Sequence, residues 1–211
     1  MERVNFPKFS GIRCLMMPYI QGEADSLPDE YEAYFPIISK IFFNKGDIGF
    51  LTIDESFVEA GKPQRGDRAK FGRALHTEAG LLPPLLCWGG PVWGGNAHVV
   101  LERDTQILLA NSIDDTCAIW KGEEEDTSED GDIGHLAGKY PYTSAKFMKA
   151  GELECIGILT PHESLPLTHS QNRQFLRIIS SGVYGREPNF TVNPKVKHES
   201  NRRMGMENGL V

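Results

Sequence analysis

The sequence has no long apolar segment. A transmembrane helix needs about 18 consecutive apolar residues, and no stretch of this chain approaches that length. The first eleven residues, MERVNFPKFSG, also lack a basic segment followed by an apolar one, so no secretory signal is predicted. Together these absences predict a cytoplasmic protein without a membrane partner.

Cysteine is scarce and shows no paired motif. The four cysteines are widely separated and form no C-x-x-C pair: Cys14, Cys87, Cys117 and Cys155. Such spacing argues against a zinc knuckle and against a disulfide framework, and it favours a reducing compartment. We therefore interpret the cysteines as small core or surface residues.

The chain also lacks an excess of basic residues. It has 22 lysines and arginines against 29 aspartates and glutamates, which gives a formal net charge of −7. Proteins that bind nucleic acid without sequence preference need clustered basic residues to neutralise phosphates. A nucleic-acid partner is therefore not expected, which leaves small molecules, amino acids or peptides as candidate substrates.

The length and composition predict one domain. With 211 residues, 40% of them hydrophobic, the chain can bury one substantial core. We assign residues 1–194 to this domain. The polar segment 195–211 is predicted to be a disordered C-terminal tail.

Short β-type segments dominate the chain after residue 47. We predict eight strands, at 48–53, 73–78, 97–102, 106–113, 116–121, 144–150, 153–160 and 173–180. Eight short strands separated by turn residues are typical of a jelly roll or cupin-like barrel, here with its core at about 48–181. The fold is therefore predicted to be mainly β.

One helix is predicted before the barrel. Ser26 precedes a proline and two acids, which favours a helix start, and aromatic and aliphatic residues follow at helical spacing up to Ile38. Pro36 argues against one uninterrupted helix. We interpret this segment as a helix that packs on the barrel.

The segment from Gly151 to Ser181 is predicted to hold functional residues. It contains two strand-like runs separated by Thr160-Pro161, which predicts a hairpin with His162 at one end. Arg173 and Arg177, four residues apart, are expected on one face of the second strand. A neutral imidazole can bind a metal, and a guanidinium binds carboxylates.

A second candidate motif is His76-x-Glu78 at the end of a predicted strand. Residues i and i+2 of an extended segment project to the same side, so both side chains can reach one ion. With His162 they form a set of two imidazoles and one carboxylate, which leaves positions open on a non-haem Fe(II). The alternatives are a core histidine, a surface acid and a turn-capping histidine.

Two further features are candidates for lining a substrate site. Trp88 and Trp93 lie in a glycine-rich segment, LLCWGGPVWGGN, where indoles can border a binding site or pack in a turn. His135, in a long polar loop, is a third candidate.

The order of these motifs resembles the Fe(II)- and 2-oxoglutarate-dependent dioxygenases, whose fold is a double-stranded β-helix. The matching residues are His76-x-Glu78 after the second strand, His162 after the seventh, and Arg173 or Arg177 on the eighth. The family more often has aspartate where this chain has Glu78. The phrase AGELECIGILTPHESLP also resembles part of a cupin motif, which belongs to a wider group with many chemistries.

The resemblance implies that His76, Glu78 and His162 bind Fe(II) and that 2-oxoglutarate and molecular oxygen are cosubstrates in a hydroxylation. Position along the strand favours Arg177 for the distal carboxylate of 2-oxoglutarate, with Arg173 as a second contact. Two alternatives remain open: a cupin-like metalloenzyme that does not use 2-oxoglutarate, and a non-catalytic ligand-binding barrel. The oligomeric state is not predicted.

Overall fold

The computed structural model describes residues 3–64, 72–78, 80–82, 85–87, 105–128, 131–180 and 190–197. Its strands are β1 (Arg13–Ile20), β2 (Ile48–Val58), β3 (Leu75–His76), β4 (Gly80–Leu82), β5 (Leu85–Cys87), β6 (Gln106–Asn111), β7 (Cys117–Ile119), β8 (Lys146–Phe147), β9 (Glu154–Gly157), β10 (His162–Ser164) and β11 (Gln171–Ile179). The helical elements are α1 (Phe35–Ile38) and 3-10 helices at Ala24–Ser26, Asp29–Tyr34, Gly134–Lys139 and Tyr142–Ser144.

The described strands form antiparallel sheets, which confirms the prediction of a mainly β fold. A five-stranded sheet has the order β1-β2-β11-β6-β9, and a four-stranded sheet has the order β3-β10-β7-β8. Strands β4 and β5 pair only with each other. Buried side chains from both larger sheets meet in one core cluster, including Leu109 and Phe175 from one sheet and Cys117 and Ile119 from the other.

A second core lies on the other face of the five-stranded sheet. There Tyr31, Tyr34 and Ile38 pack against apolar residues that include Leu176 and Ile178 of β11. The second half of β11 is covered on both faces, because Phe175 and Ile179 lie in the first core and Leu176 and Ile178 lie in the second. The predicted packing segment is thus present, but only four of its residues are α-helical, with Pro36 in the first turn.

The predicted hairpin is wrong. β11 pairs with β2 and β6, while β9 pairs with β6 on the edge of the same sheet. The second half of β11, FLRII, is buried on both faces, and a strand buried on both faces is most stable in the middle of a sheet. His162 accordingly begins β10 in the four-stranded sheet instead of closing the preceding strand.

Several predicted strands are shorter than expected. The predicted strands 73–78, 116–121 and 144–150 are reduced to β3, β7 and β8, which contain two or three residues each. The described strands lie in separate sheets, so a closed barrel is not supported. No helix within the described ranges is long and apolar enough to cross a membrane.

Some predictions fall on other parts of the chain. The strand at 97–102 and both tryptophans, Trp88 and Trp93, lie outside the described residues. Of the predicted tail, only residues 195–197 are described. Val196 is buried there, and Lys195 forms an ion pair with Asp29 at 2.6 Å.

Candidate metal centre

Strand pairing brings the two candidate histidines together. β3 and β10 are antiparallel neighbours, and His76 lies directly opposite His162 in their register. Their ring centroids are 4.2 Å apart and the rings are tilted by 55°. The pairing joins positions that are far apart in the sequence.

Backbone hydrogen bonds hold Glu78 beside them. The Thr77 N–H donates to the Gly131 carbonyl and the Glu78 N–H to the Ile158 carbonyl, both at 2.9 Å. The segment therefore stays ordered beyond the two residues of β3, and the Glu78 side chain is only 8% exposed. One ligand atom from each of His76, Glu78 and His162 lies within 4.8 Å of the others.

The hydrogen bonds of the imidazoles fix which nitrogen is available. Nδ1 of His76 lies 2.6 Å from the Ala74 carbonyl, and Nδ1 of His162 lies 2.9 Å from the Thr160 carbonyl. A carbonyl oxygen only accepts, so each Nδ1 donates its proton. In the neutral rings this leaves the Nε2 lone pairs for a ligand, and such support is typical of metal-binding histidines. His162 Nε2 lies 3.5 Å from Glu78 Oε1.

Glu78 is also paired with a buried cation. Arg177 Nη1 donates to Oε1 at 2.9 Å and to Oε2 at 2.8 Å. Burial by itself would raise the pKa of Glu78, but the adjacent Arg177 charge outweighs burial and holds this pKa well below its usual range. Glu78 is therefore ionised at neutral pH.

Arg173 lies in a different environment on the same strand. It is 1% exposed and donates to Asn111 Oδ1, to the Thr116 carbonyl at 3.3 Å and to Ser164 Oγ at 3.3 Å. Its Nε has no hydrogen-bond partner, and no described carboxylate forms an ion pair with it within 4.0 Å. Burial lowers the pKa of Arg173 to about 10, so it carries a positive charge at neutral pH without an adjacent counter-ion.

One cavity connects this arginine with the three candidate ligands. It encloses about 380 Å³, including part of its opening to solvent. The described lining residues come from both larger sheets: His76, Glu78, Leu109, Cys117, His162, Ser164, Arg173 and Phe175. One buried arginine thus faces the same space as two imidazoles and a carboxylate.

The opposite face of β10 carries a separate cluster that anchors the strand. Glu163 points away from the cavity because neighbouring residues of a strand face opposite sides. Arg73 Nη2 donates to its Oε2 at 2.7 Å, and the Tyr142 hydroxyl donates to the same oxygen at 3.1 Å. The Arg73 guanidinium also lies 4.3 Å from the Tyr142 ring centroid and 5.3 Å from that of Trp120.

His135, the described candidate for lining a substrate site, is not brought to the cavity. His135 lies in the 3-10 helix Gly134–Lys139, with its Nε2 3.6 Å from Asp126 Oδ2, and it is not among the described lining residues. Conversely, Asn111 and Ser164 contact Arg173, although neither residue was predicted from the sequence to belong to the site. Their residue types are too common in turns and strand ends to have identified them.

The donor set is suited to a transition metal. Two neutral imidazoles and one carboxylate on one side of an ion form the facial arrangement typical of non-haem Fe(II) sites, with the remaining positions open. Each Glu78 oxygen retains a lone pair beside its contact with Arg177, because a carboxylate oxygen has two. The residues present therefore fit a metal ion.

Comparisons with known proteins found no matching protein-family model, no matching curated protein and no matching solved structure.

Proposed function

We propose that the chain is a non-haem Fe(II) oxygenase that uses 2-oxoglutarate and molecular oxygen to hydroxylate a small molecule, an amino acid or a peptide side chain. One observation carries this proposal: a three-ligand cluster suited to Fe(II) and a buried arginine without an adjacent carboxylate line the same cavity. A metal ion would bind to the three-ligand cluster, and the carboxylate of a cosubstrate would pair with the arginine.

The strand arrangement supports a double-stranded β-helix as the corresponding fold. From β2 to β11 the chain passes repeatedly between the two larger sheets, and four of these strands lie in each sheet. Such interleaving is typical of jelly rolls, which this fold resembles. The fold alone does not determine the chemistry, so the proposal depends on the site.

The chain's own residues would bind and orient the reactants. His76, Glu78 and His162 would hold Fe(II) on one side, and bound Fe(II) would supply the activation of oxygen. Arg173 would pair with the distal carboxylate of 2-oxoglutarate, with Ser164 Oγ as a neighbouring polar group. Leu109 and Phe175 would exclude water from the reacting centre.

This assignment of the arginines differs from the sequence-based one. Strand position favoured Arg177 for the distal carboxylate, whereas its Nη1 contacts Glu78 at 2.8–2.9 Å. Arg173 lines the cavity and has no adjacent carboxylate. We therefore assign the distal carboxylate to Arg173 in the proposed complex.

A cupin-like metalloenzyme that does not use 2-oxoglutarate is the second candidate. It is favoured by the three hydrogen bonds that Arg173 already donates to Asn111, Thr116 and Ser164. In that case these hydrogen bonds would hold β11 to β6, to β10 and to the residue before β7. Arg173 would then bind no ligand. Production of succinate from 2-oxoglutarate separates this candidate from the first.

The test of the metal site is a titration of the purified protein with Fe(II) in the absence of oxygen. We expect about one ion per chain, because the cluster offers one facial set. His76→Ala and His162→Ala should each abolish binding, since two remaining ligands hold the ion poorly. His169→Ala is the matched control because His169 is exposed and its Nδ1 lies 2.9 Å from the neighbouring Thr168 hydroxyl, away from the cavity lining.

Full Fe(II) occupancy in both the His76 and His162 variants would refute the site. Binding in the wild-type protein without succinate formation would favour the second candidate. A wild-type protein that binds no metal would leave a non-catalytic ligand-binding protein as the better interpretation.

A further inference from the structure

Arg177 has no task in the proposed reaction, although it is buried beside a proposed metal ligand. Its side chain is 1% exposed, and one nitrogen, Nη1, contacts both Glu78 oxygens at 2.8–2.9 Å. Arg177 Nη2 lies 3.3 Å from Met16 Sδ and 3.4 Å from Thr52 Oγ1, so the guanidinium also contacts β1 and β2. Glu78 is an ion-pair partner of this arginine.

A metal ion at the site would lie close to that positive charge. A carboxylate oxygen binds a transition metal at about 2.1 Å, which places the ion no more than about 5 Å from Arg177 Nη1. Like charges at this distance repel strongly in a buried environment, where screening by solvent is weak. Arg177 and the metal therefore compete for the negative charge of Glu78.

We infer that Arg177 is a positioning residue that serves as the counter-ion of Glu78 while no metal is bound, and that it thereby lowers the affinity of the His76–Glu78–His162 site for divalent cations. This inference rests on the metal site in the proposed function and deepens it. Its consequence is regulatory: the folded protein is stable without metal, and its loading follows the available metal concentration.

Two effects of removing the guanidinium act in the same direction. Without Arg177 the metal-free protein would contain a buried carboxylate that has lost the guanidinium charge beside it, which is strongly unfavourable. The metal-bound protein would lose a repulsion. Both changes favour the metal-bound state.

A third effect acts in the opposite direction. Groups that orient a metal ligand typically raise metal affinity about 10- to 100-fold, so their loss weakens binding. Such groups are usually acceptors that make a histidine more basic, whereas Arg177 is a donor that withdraws charge from Glu78. Glu78 is also held independently by the hydrogen bond of its N–H to Ile158. We therefore expect the loss of charge to dominate.

The test is Mn(II) affinity, measured from the electron paramagnetic resonance signal of free Mn(II). In Arg177→Met the dissociation constant should fall by about tenfold or more. Arg177→Lys keeps the charge and should bind Mn(II) within about threefold of wild type. Arg73→Met is the matched control: it removes the Arg73–Glu163 pair, whose glutamate lies on the face of β10 away from the cavity, and it should not tighten binding.

Thermal unfolding provides a second measurement. Arg177→Met should unfold at a lower temperature than wild type without metal, and saturating Mn(II) should reduce this difference. If the variant does not fold, Arg177→Gln, which retains donors but no charge, carries the same test. Failure of both variants to fold in the presence of Mn(II) would overturn the inference, because the metal should replace the guanidinium charge.

The outcomes separate this inference from the proposed function. Unchanged or weaker Mn(II) binding in Arg177→Met, with wild-type binding that depends on His162, would overturn the role of Arg177 and leave the metal site standing. Wild-type protein without His162-dependent Mn(II) binding would refute the metal site itself.

Discussion

Arg173 and Arg177 lie four residues apart on β11, but their neighbours differ. Arg177 contacts Glu78, whereas Arg173 is surrounded by neutral acceptors and lines the cavity. The spacing of four residues predicts both arginines on one strand face. Arg177 contacts the candidate ligand Glu78, and Arg173 lines the cavity that Glu78 also lines. The spacing did not separate their roles, because the Arg177–Glu78 pair joins positions 99 residues apart.

The first residue-scale prediction concerns the cosubstrate. In anaerobic protein loaded with Fe(II), Arg173→Lys should weaken 2-oxoglutarate binding by on the order of 2 to 4 kcal/mol, because an ammonium lacks the guanidinium fork. The charge-transfer band of the ternary complex measures this affinity. Arg177→Lys is the matched comparison and should lose less.

A larger loss in the Arg177 variant would restore the sequence-based assignment. If neither variant lost affinity, 2-oxoglutarate would be removed from the proposal and the cupin-like alternative would be favoured.

The second residue-scale prediction concerns Glu124. Glu124 lies in an acidic segment, GEEEDTSEDGD, whose composition is typical of a solvated loop, but the residue is buried and only 5% exposed. Burial opposes ionisation, yet hydrogen bonds from Lys139 and the Tyr140 hydroxyl outweigh it and lower the pKa of Glu124 to about 2. A pKa lowered by folding stabilises the protein above the ordinary value of 4.5, and this contribution is lost as the pH falls from 4.5 to about 2.

Glu124→Gln should therefore lower the free energy of unfolding by about 1 to 2 kcal/mol at pH 7, allowing for the exposed lysine. The difference from wild type should shrink as the pH falls through this range. Urea unfolding at several pH values measures it, with Glu123→Gln, an exposed neighbour, as the control. A difference that is independent of pH would contradict the ionic origin of the effect.

At the scale of elements, the two faces of the three-residue strand β10 have different roles. His162 faces the cavity, and Glu163 faces the cluster formed with Arg73 and Tyr142. Three residues suffice because β10 is paired on both sides, with β3 and β7. The sequence did not reveal this strand, since three residues after Thr160-Pro161 show no recognisable periodicity.

The sequence identified three side chains that the structure brings together, but it did not identify the strands that carry them. His76, Glu78 and His162 follow from local spacing and residue chemistry, and the structure brings them together. The hairpin and several strand lengths were wrong because they depend on which distant segment covers each face. The pairing of β11 with β2 and β6 is such a long-range property.

The element-scale prediction concerns the turn that supports Glu78. Gly131 has a φ of +77°, and a Cβ there would collide with the Thr77 carbonyl oxygen. Gly131→Ala should lower the free energy of unfolding by about 1 to 3 kcal/mol. It should also weaken Mn(II) binding, because Thr77 lies between His76 and Glu78.

Gly122→Ala is the matched control, since Gly122 has a φ of +99° but no atom within 4 Å of the added Cβ. It should lose some stability through its backbone conformation and keep wild-type metal affinity. Chemical denaturation and Mn(II) titration measure both quantities. Equal affinity losses in the two variants would show that the collision with Thr77 does not matter.

At the scale of the whole molecule, Glu55 joins three distant parts of the chain. Its carboxylate on β2 accepts hydrogen bonds from the N–H groups of residues 10–12, from the Tyr34 hydroxyl at 2.7 Å and from Gln174 Nε2 at 2.8 Å. Burial by itself would raise the pKa of Glu55, but these bonds lower it. The N-terminal segment is thereby fixed to the five-stranded sheet.

Glu55→Gln should destabilise the protein by about 2 to 4 kcal/mol, because several buried donors would lose a charged acceptor and would face an amide. Glu59→Gln, an exposed change in the same region, should remain within about 0.5 kcal/mol of wild type. Equilibrium unfolding in urea compares them. Equal stabilities would show that Glu55 does not anchor the N-terminal segment.

The pairing of His76 with His162 has a consequence for the order in which the chain matures. A growing polypeptide presents His76 and Glu78 long before His162 is synthesised, and non-local strand pairing is slow because loop closure must come first. An incomplete chain therefore has two of the three ligands. A metal ion would accordingly bind only after β3 and β10 have paired. The rate of metal binding during refolding would then measure the rate of this pairing.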